Sequence, residues 1–292
     1  MKLEGIHHVT CITADAPRNV EFYAGTLGLR LVKKTVNQDD PTVYHLFYAD
    51  EKGSPGSDIT FFEYPDSPRG RAGAGMVHRV VFRVGSHASL DFWQARVGGE
   101  RGDGTLVFED PEGLSLELVV DESGEKPLVA THSGIPVEHA LRGFAGVRAF
   151  TRDAEESRAF LEEGLGFEDG FVARGDLRSS FYVYDAEERR GVQGAGTVHH
   201  VAWSCALGEE EAWRERVEAS GGRPTPVIDR FYFHSVYFRE PSGVLFEIAT
   251  RGPGFATDED AEHLGERLSL PPAYEHLRSR LEPVLTPLPN PR

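Results

Sequence analysis

Histidine doublets open two strand-like runs of this chain, Ile6-His7-His8-Val9 and Val198-His199-His200-Val201. Each run is short, rich in β-branched residues and followed by an amphipathic helical stretch, so the chain is read first for internal repeats. The first unit has a strand over residues 6–13 and a helix starting at Asp15 as N-cap, with Pro17 in its first turn. Val20, Tyr23, Ala24 and Leu27 form one apolar helical face, and Gly28 is placed to stop it. Strand-like runs over residues 29–35, 43–48 and 58–64 complete a β-α-β-β-β unit.

The same plan recurs three times. A second unit opens at Met76-Val77-His78-Arg79, carries a helix around residues 89–97 with Leu90, Trp93 and Val97 on one face, and closes through Glu117. A third opens at Gly143-Phe144-Ala145-Gly146-Val147, with a helix near 154–163 and a strand over 179–184. The fourth runs from Gly196 to Thr250, with its helix over about 209–218. Asp110-Pro111-Glu112-Gly113 through Glu117 aligns without a gap to Glu240-Pro241-Ser242-Gly243 through Glu247. The fold class expected is α+β, with four βαβββ repeats forming two barrel-like sheets. The expected organisation is repeats one and two over 1–121, a linker over 122–141, repeats three and four over 142–251, and a tail over 252–292. The tail should carry a helix over 273–281 docked by Tyr274, Leu277 and Leu281, either covering a cavity mouth or burying a sheet edge.

The aligned strand openings give two columns, His7, His78, Ala145, His199 and His8, Arg79, Gly146, His200. Neighbouring strand residues face opposite sides of a sheet, so one histidine of each pair should face a given cavity, and alternation alone does not say which. His78 stands in a unit without other ligand candidates, which favours packing for the first column and metal binding for His8 and His200. Glu247 is a carboxylate in an apolar strand, where charge needs a partner or a metal. Two imidazoles and one carboxylate leave open positions on an octahedral ion, the set suited to non-haem Fe(II) and O₂. Glu117 holds the same repeat position beside Arg79, and a salt bridge is expected there. For the metal ligands to share one coordination sphere, units one and four must share a sheet and units two and three the other.

Composition bounds the rest. Of 292 residues, 39% are apolar and 27% charged, and the net charge of −16 argues against sequence-independent nucleic-acid binding. No stretch reads as a signal peptide or a membrane span, and Cys11 and Cys205 read as reduced core thiols, which points to a cytoplasmic protein. The absence of Cys pairs and of His-x₃-His spacing disfavours structural zinc.

These residues resemble the vicinal-oxygen-chelate superfamily over essentially the whole chain. More closely, the chain is similar to ring-cleaving dioxygenases of the hydroquinone 1,2-dioxygenase branch, which includes 2,6-dichlorohydroquinone dioxygenase. The resemblance is carried by the opening strand with its double His, by Tyr44-His45-Leu46-Phe47-Tyr48-Ala49-Asp50 with Gly53-Ser54-Pro55-Gly56, by Pro136-Val137-Glu138-His139, and by Gly252-Pro253-Gly254-Phe255 leading to Leu264-Gly265. It implies Fe(II), or Mn(II), held by His8, His200 and Glu247, an aromatic diol and O₂ as partners, and a role in aromatic compound degradation. A homo-oligomer is a family-level expectation. It also implies that His7 and Thr10 help to bind substrate and that His199, Arg230 and Tyr237 take part in catalysis around the metal. His199 and Tyr237 are candidates to take and return protons, and Arg230 to hold a developing oxyanion or a second hydroxyl. The rival readings are a glyoxalase-like metalloenzyme, which would add a second Glu ligand, and a metal-free drug-sequestering protein. The position of unit one aligned with Glu247 is Thr60, counting from Gly56; matching Phe61-Phe62-Glu63 to Leu245-Phe246-Glu247 instead would make it Glu63.

Overall fold

The computed structural model describes residues 1–168 and 170–289. Unit one supplies β1 (Ile6–Thr13), α1 (Ala16–Val20), β2 (Arg30–Val36), β3 (Tyr44–Ala49) and β4 (Asp58–Glu63). Unit two supplies β5 (Met76–Val84), α2 (His87–Val97), β6 (Glu100–Arg101), β7 (Thr105–Glu109) and β8 (Ser115–Val120). Unit three supplies β9 (Phe144–Thr151), α3 (Glu155–Ala159), β10 (Val172–Arg174) and β11 (Ser179–Ala186). Unit four supplies β12 (Thr197–Cys205), α4 (Glu210–Ala219), β13 (Ile228–Asp229), β14 (Phe233–Arg239) and β15 (Leu245–Pro253).

The strands form two sheets. Eight strands run in the order β13-β14-β15-β12-β1-β4-β3-β2, and seven in the order β10-β11-β9-β5-β8-β7-β6. Units one and four therefore share one sheet and units two and three the other, as the ligand argument required. The helices cover the outer faces. Asp15 caps α1 by accepting from the Arg18 N–H, and the chain continues in wider turns over Glu21–Thr26. Val20, Tyr23, Ala24 and Leu27 are buried, and Gly28 takes the left-handed φ of 70° that stops the helix. On α2, Leu90 and Trp93 are fully buried.

The first sheet pairs its halves through β1 and β12, antiparallel, with Val9 opposite Val201 and Thr10 opposite His200. The ladder slips by one residue between Ile6 and His8 on one strand, and again opposite Thr10 and Cys11, where His199 is the extra residue. The equivalent seam of the second sheet, β5 with β9, slips between Val77 and Arg79 and between Val81 and Phe82, the latter leaving Ala145 unpaired. All four members of the first column (His7, His78, Ala145, His199) are thus bulged residues. A bulge bends the strand and re-aims its side chains.

The tail differs in part from expectation. In place of a helix over 273–281 it has a single turn at Glu275–Leu277 followed by α5 (Arg278–Leu281), after two earlier single turns at Phe255–Thr257 and Ala261–His263; Pro271 and Pro272 precede the helical stretch, and so short a helix has little stability of its own. Leu281 is buried, and Tyr274 and Leu277 pack beside it against the core. The tail runs along the outer strand of the first sheet. Leu268 bridges Lys34 of β2, Phe255 packs on Phe47, and the buried Lys33 ammonium meets Asp258 (2.7 Å) and Glu259. Among the described residues, none of the tail lines the cavity described below. It meets the rim through the Tyr274 hydroxyl, which donates to the Gln38 carbonyl (2.8 Å), and through Asp258, which accepts from the Tyr232 hydroxyl (2.9 Å).

Candidate metal centre

The curl of the first sheet gathers side chains from seven strands around one cavity. At its floor, Nε2 of His8 (β1) and Nε2 of His200 (β12) lie 3.2 and 2.9 Å from Oε2 of Glu247 (β15), and 3.3 Å from each other. All three side chains are buried. Among the described residues this is the one cluster of three or more His, Cys, Asp or Glu side chains whose ligand atoms converge. Glu247 Oε1 accepts a short bond from Ser235 Oγ (2.5 Å). Oε2 is sealed from solvent and makes no hydrogen bond of acceptable geometry, although both imidazoles stand at ion-pair distance. A buried carboxylate oxygen left without a donor, facing two imidazole nitrogens, is what a divalent cation would complete. Burial alone would raise the Glu247 pKa, but His8 and His200 beside it hold it well below the usual carboxylate range.

Each ligand imidazole is backed by its doublet partner. His7 Nδ1 lies 2.9 Å from His8 Nδ1, and His199 Nδ1 lies 2.8 Å from His200 Nδ1. For His8 Nε2 to offer a lone pair, its proton must sit on Nδ1 and be donated to His7. His7 then carries its own proton on Nε2 and donates to the Thr250 carbonyl (3.1 Å). Such partners set the tautomer and ring orientation of a ligand histidine. Burial, and then the neighbouring ligand histidine, pushes the pKa of both His7 and His199 down to about 3, so both rings are neutral at pH 7.

The remaining candidates fall on either side of the floor. Tyr237 lines the cavity, and its phenol is kept protonated by burial and by the Glu247 charge. Its oxygen accepts from Arg230 Nε (3.3 Å), while the two Nη atoms of Arg230 form a fork on the Asp39 carboxylate (3.2 and 3.1 Å). His7, Thr10 and His199 are not on the cavity wall; His7 and His199 stand behind the ligands, and Thr10 Oγ accepts from Thr60 Oγ (2.9 Å). Thr60 pairs with Thr10 across β1 and β4, a hydroxyl at the position where unit four carries Glu247. Glu63 points elsewhere and accepts from the Ala16 N–H (3.3 Å).

Several wall residues were not singled out by sequence reasoning. His45, Thr35, Asn37, Gln38, Asp39, Phe47, Phe62, Tyr232 and Phe233 complete a pocket with about 440 Å³ of empty space, its open mouth included. The alternation in β3 was a usable signal: Tyr44, Leu46 and Tyr48 belong to the core, which sends His45 and Phe47 to the other face. Ser235 and Asp39 carried no signal, since small polar and turn residues are common everywhere.

A two-sheet repeat fold with a His, His, Glu cluster on one sheet defines a member of the βαβββ repeat class with a candidate metal site. The profile of the Glyoxalase/Bleomycin resistance protein/Dioxygenase superfamily matches residues 5–118 and 143–248, and the chain belongs to that family. It is 38% identical over 99% of its length to the whole of MhqA from Bacillus subtilis (strain 168), a protein provisionally named a ring-cleaving dioxygenase. It is 33% identical over 96% of its length to 95% of the chlorohydroquinone/hydroquinone 1,2-dioxygenase of Sphingobium indicum. Among solved structures, a provisionally named dioxygenase from Bacillus subtilis matches at TM-score 0.90 and 37% identity, covering 99% of this chain and 98% of that one. A glyoxalase I variant from Zea mays shares the fold at TM-score 0.61 and 16% identity, over 85% of this chain and 92% of that one.

Proposed function

We propose that this chain is an Fe(II)-dependent, extradiol-type ring-cleaving dioxygenase acting on a hydroquinone or related aromatic diol with O₂. The observation that carries the proposal is the Glu247 oxygen without a donor, facing two buried imidazoles at the floor of an aromatic-walled pocket. Three protein ligands fit the fourth position being Thr60, whose hydroxyl is engaged by Thr10, and they leave room for exogenous ligands. An Fe(II) ion held by His8, His200 and Glu247 would bring diol and O₂ together and lower the pKa of a bound hydroxyl. The names of the full-length relatives support the same reading.

The protein side of the chemistry follows from the walls. Phe47, Phe62, Phe233 and Tyr232 flank the space in which a single ring would lie and limit water there. Arg230 carries a fixed positive charge: burial opposes it, but Tyr237 and Asp39 outweigh that and keep its pKa raised. It is set to stabilise negative charge developing on a substrate oxygen. Tyr237 holds its proton at pH 7 and can donate it through Oη to a ring-opened anion, with Arg230 beside it to stabilise the phenolate left behind. His199 acts from behind His200 and reaches substrate only through that ring.

The test is O₂ uptake by protein loaded anaerobically with Fe(II) and given hydroquinone or a substituted hydroquinone, with catechol in parallel. Uptake with hydroquinone that is lost in H8A and E247Q is the expected result. Uptake with catechol alone would move the substrate class. No uptake with either diol in protein that demonstrably holds iron would refute the proposal.

A further inference from the structure

The cavity wall built by β2 and β3 carries polar groups that the reaction above does not use. Sheet order runs β14, β15, β12, β1, β4, β3, β2, so β3 lies two strands beyond His8, about 10 Å at ordinary strand spacing. On β3, His45 faces the cavity between Phe47 and Phe62, with ring centroids 3.9 and 4.3 Å away. Directly across the β2 ladder from His45 is Thr35, which also lines the cavity.

Hydrogen bonding fixes what His45 can offer. Thr60 Oγ–H is donated to Thr10 Oγ (2.9 Å), so the Thr60 oxygen must accept at its 2.9 Å contact with His45 Nε2. The His45 proton is therefore on Nε2, and Nδ1 is left with a lone pair. Nδ1 has no partner among the described residues and is not sealed from the cavity that the ring lines. Burial drives the His45 pKa well below its ordinary value, so the ring remains a neutral acceptor. Thr35 Oγ, by contrast, is sealed from the cavity and stands beside the Tyr232 phenol oxygen, whose own proton is committed to Asp258 (2.9 Å).

The repeat explains why this histidine is free for another use. Counting from Gly56 and Gly243, Thr60 corresponds to Glu247. Their ladder partners then make His45 the counterpart of Ser235, and Phe47 that of Tyr237. Ser235 orients the carboxylate ligand. His45 makes the matching bond to Thr60, which ligates nothing, and its second nitrogen is left facing the cavity.

Resting on the dioxygenase reading, we infer that His45 Nδ1 is the acceptor for the second hydroxyl of the diol, the one directed away from His8, His200 and Glu247. A phenolic hydroxyl donates, which matches an imidazole lone pair. A methyl group in its place would leave that nitrogen unpaired, and sites built to bind a hydroxyl reject such analogues.

The probes are hydroquinone and 4-methylphenol, equal in shape but differing in that hydroxyl. Their binding to Mn(II)-loaded, oxygen-free protein is measured by calorimetry, so that turnover is not the readout. Wild-type protein should prefer hydroquinone by about tenfold or more. H45F should abolish the preference with little change for 4-methylphenol. H45L, a second apolar replacement that guards against a misfolded H45F, should abolish the preference in the same way. Full preference retained by either folded variant overturns the subsite while leaving the dioxygenase reading intact. Failure of both phenols to bind metal-loaded wild type overturns the two together.

Discussion

Ser235→Ala tests how the metal centre is held. The Ser235 hydroxyl is fully buried and donates to Oε1 of Glu247, while Oε2 faces His8 and His200. Removing one hydroxyl from a small side chain leaves packing almost unchanged but deprives a buried anionic oxygen of its donor. Hydrogen bonds to charged groups are worth about 1.5–3 kcal/mol. In metal-free protein the carboxylate can turn toward either imidazole and recover part of that loss, whereas a bound metal requires it to keep its pose. The metal affinity should therefore fall by about 10- to 100-fold, the range typical of partners that orient a ligand. Mn(II) calorimetry reads the affinity directly, and thermal melts give an independent check. At 100 times the wild-type Kd, metal stabilises by about 2.7 kcal/mol, which is about 5–10 °C for a chain near this size. With a tenfold weaker site, the same concentration gives about 1.4 kcal/mol and roughly half the rise. Equal affinity in the two proteins would refute the idea that Ser235 sets the pose of Glu247.

Arg230→Lys removes a planar fork that grips Asp39 and Tyr237 together, and kcat/KM for the diol should fall about 100-fold with the Mn(II) Kd unchanged; a parallel loss of metal affinity would show that Arg230 acts through the ligands instead. Lys33→Met leaves Glu259, whose side chain is 2% exposed, without its buried counter-charge, and should cost about 3–5 kcal/mol in denaturant unfolding, part of it recovered by adding Glu259→Gln. An unaltered midpoint would mean that the tail is not anchored there. Asp58 is buried with neither oxygen hydrogen-bonded, and burial, with Asp50 nearby, raises its pKa well above the ordinary value. Its contribution is therefore fully present below the unfolded pKa near 3.8 and is lost as pH rises toward the folded one. Asp58→Asn, which mimics the protonated acid, should stabilise increasingly from pH 4 to pH 8, reaching about 1–3 kcal/mol. A melting-temperature gap that does not change with pH would contradict this account.

The repeat count, the pairing of units one with four, and the convergence of His8, His200 and Glu247 were legible because each rests on spacing that survives without knowledge of tertiary contacts. The choice between the two members of each histidine doublet was harder. Strict alternation sends neighbours to opposite faces, yet the rings of His7 and His8 meet edge-on at 5.1 Å, as do those of His199 and His200. The bulges are the reason, since an extra residue on one strand breaks the period of two on which the sequence argument relied. His45 was quoted only as part of a family motif, although the apolar alternation around it already marked a polar residue on the inner face. Asp39 was out of reach, because its role depends on a loop meeting Arg230 from 191 positions away in the chain.

The second sheet explains why one such cluster converges among the described residues although the repeats could have supplied two. Its bulged seam is the same, with His78 and Ala145 in the places of His199 and His7. The ligand column there reads Arg79 and Gly146, and the carboxylate is Glu117. The Arg79 guanidinium lies 3.2 Å from Glu117, so a covalently attached cation stands where the first sheet leaves space for a metal. Gly146 has no side chain to offer, and the Phe181 ring comes so close that a Cβ at that position would collide with it. His78 is turned away, stacked on Phe150 at 3.7 Å and bonded to Asp185 (2.8 Å), which Arg148 also holds. Each potential ligand is thus satisfied internally, which removes the uncompensated buried charge that would otherwise favour a metal ion. On the same reasoning, Arg79→His alone should not create a metal site, because Gly146 and Phe181 still deny it a second imidazole; metal binding to that variant at one extra equivalent would show that satisfying Glu117 was the only barrier.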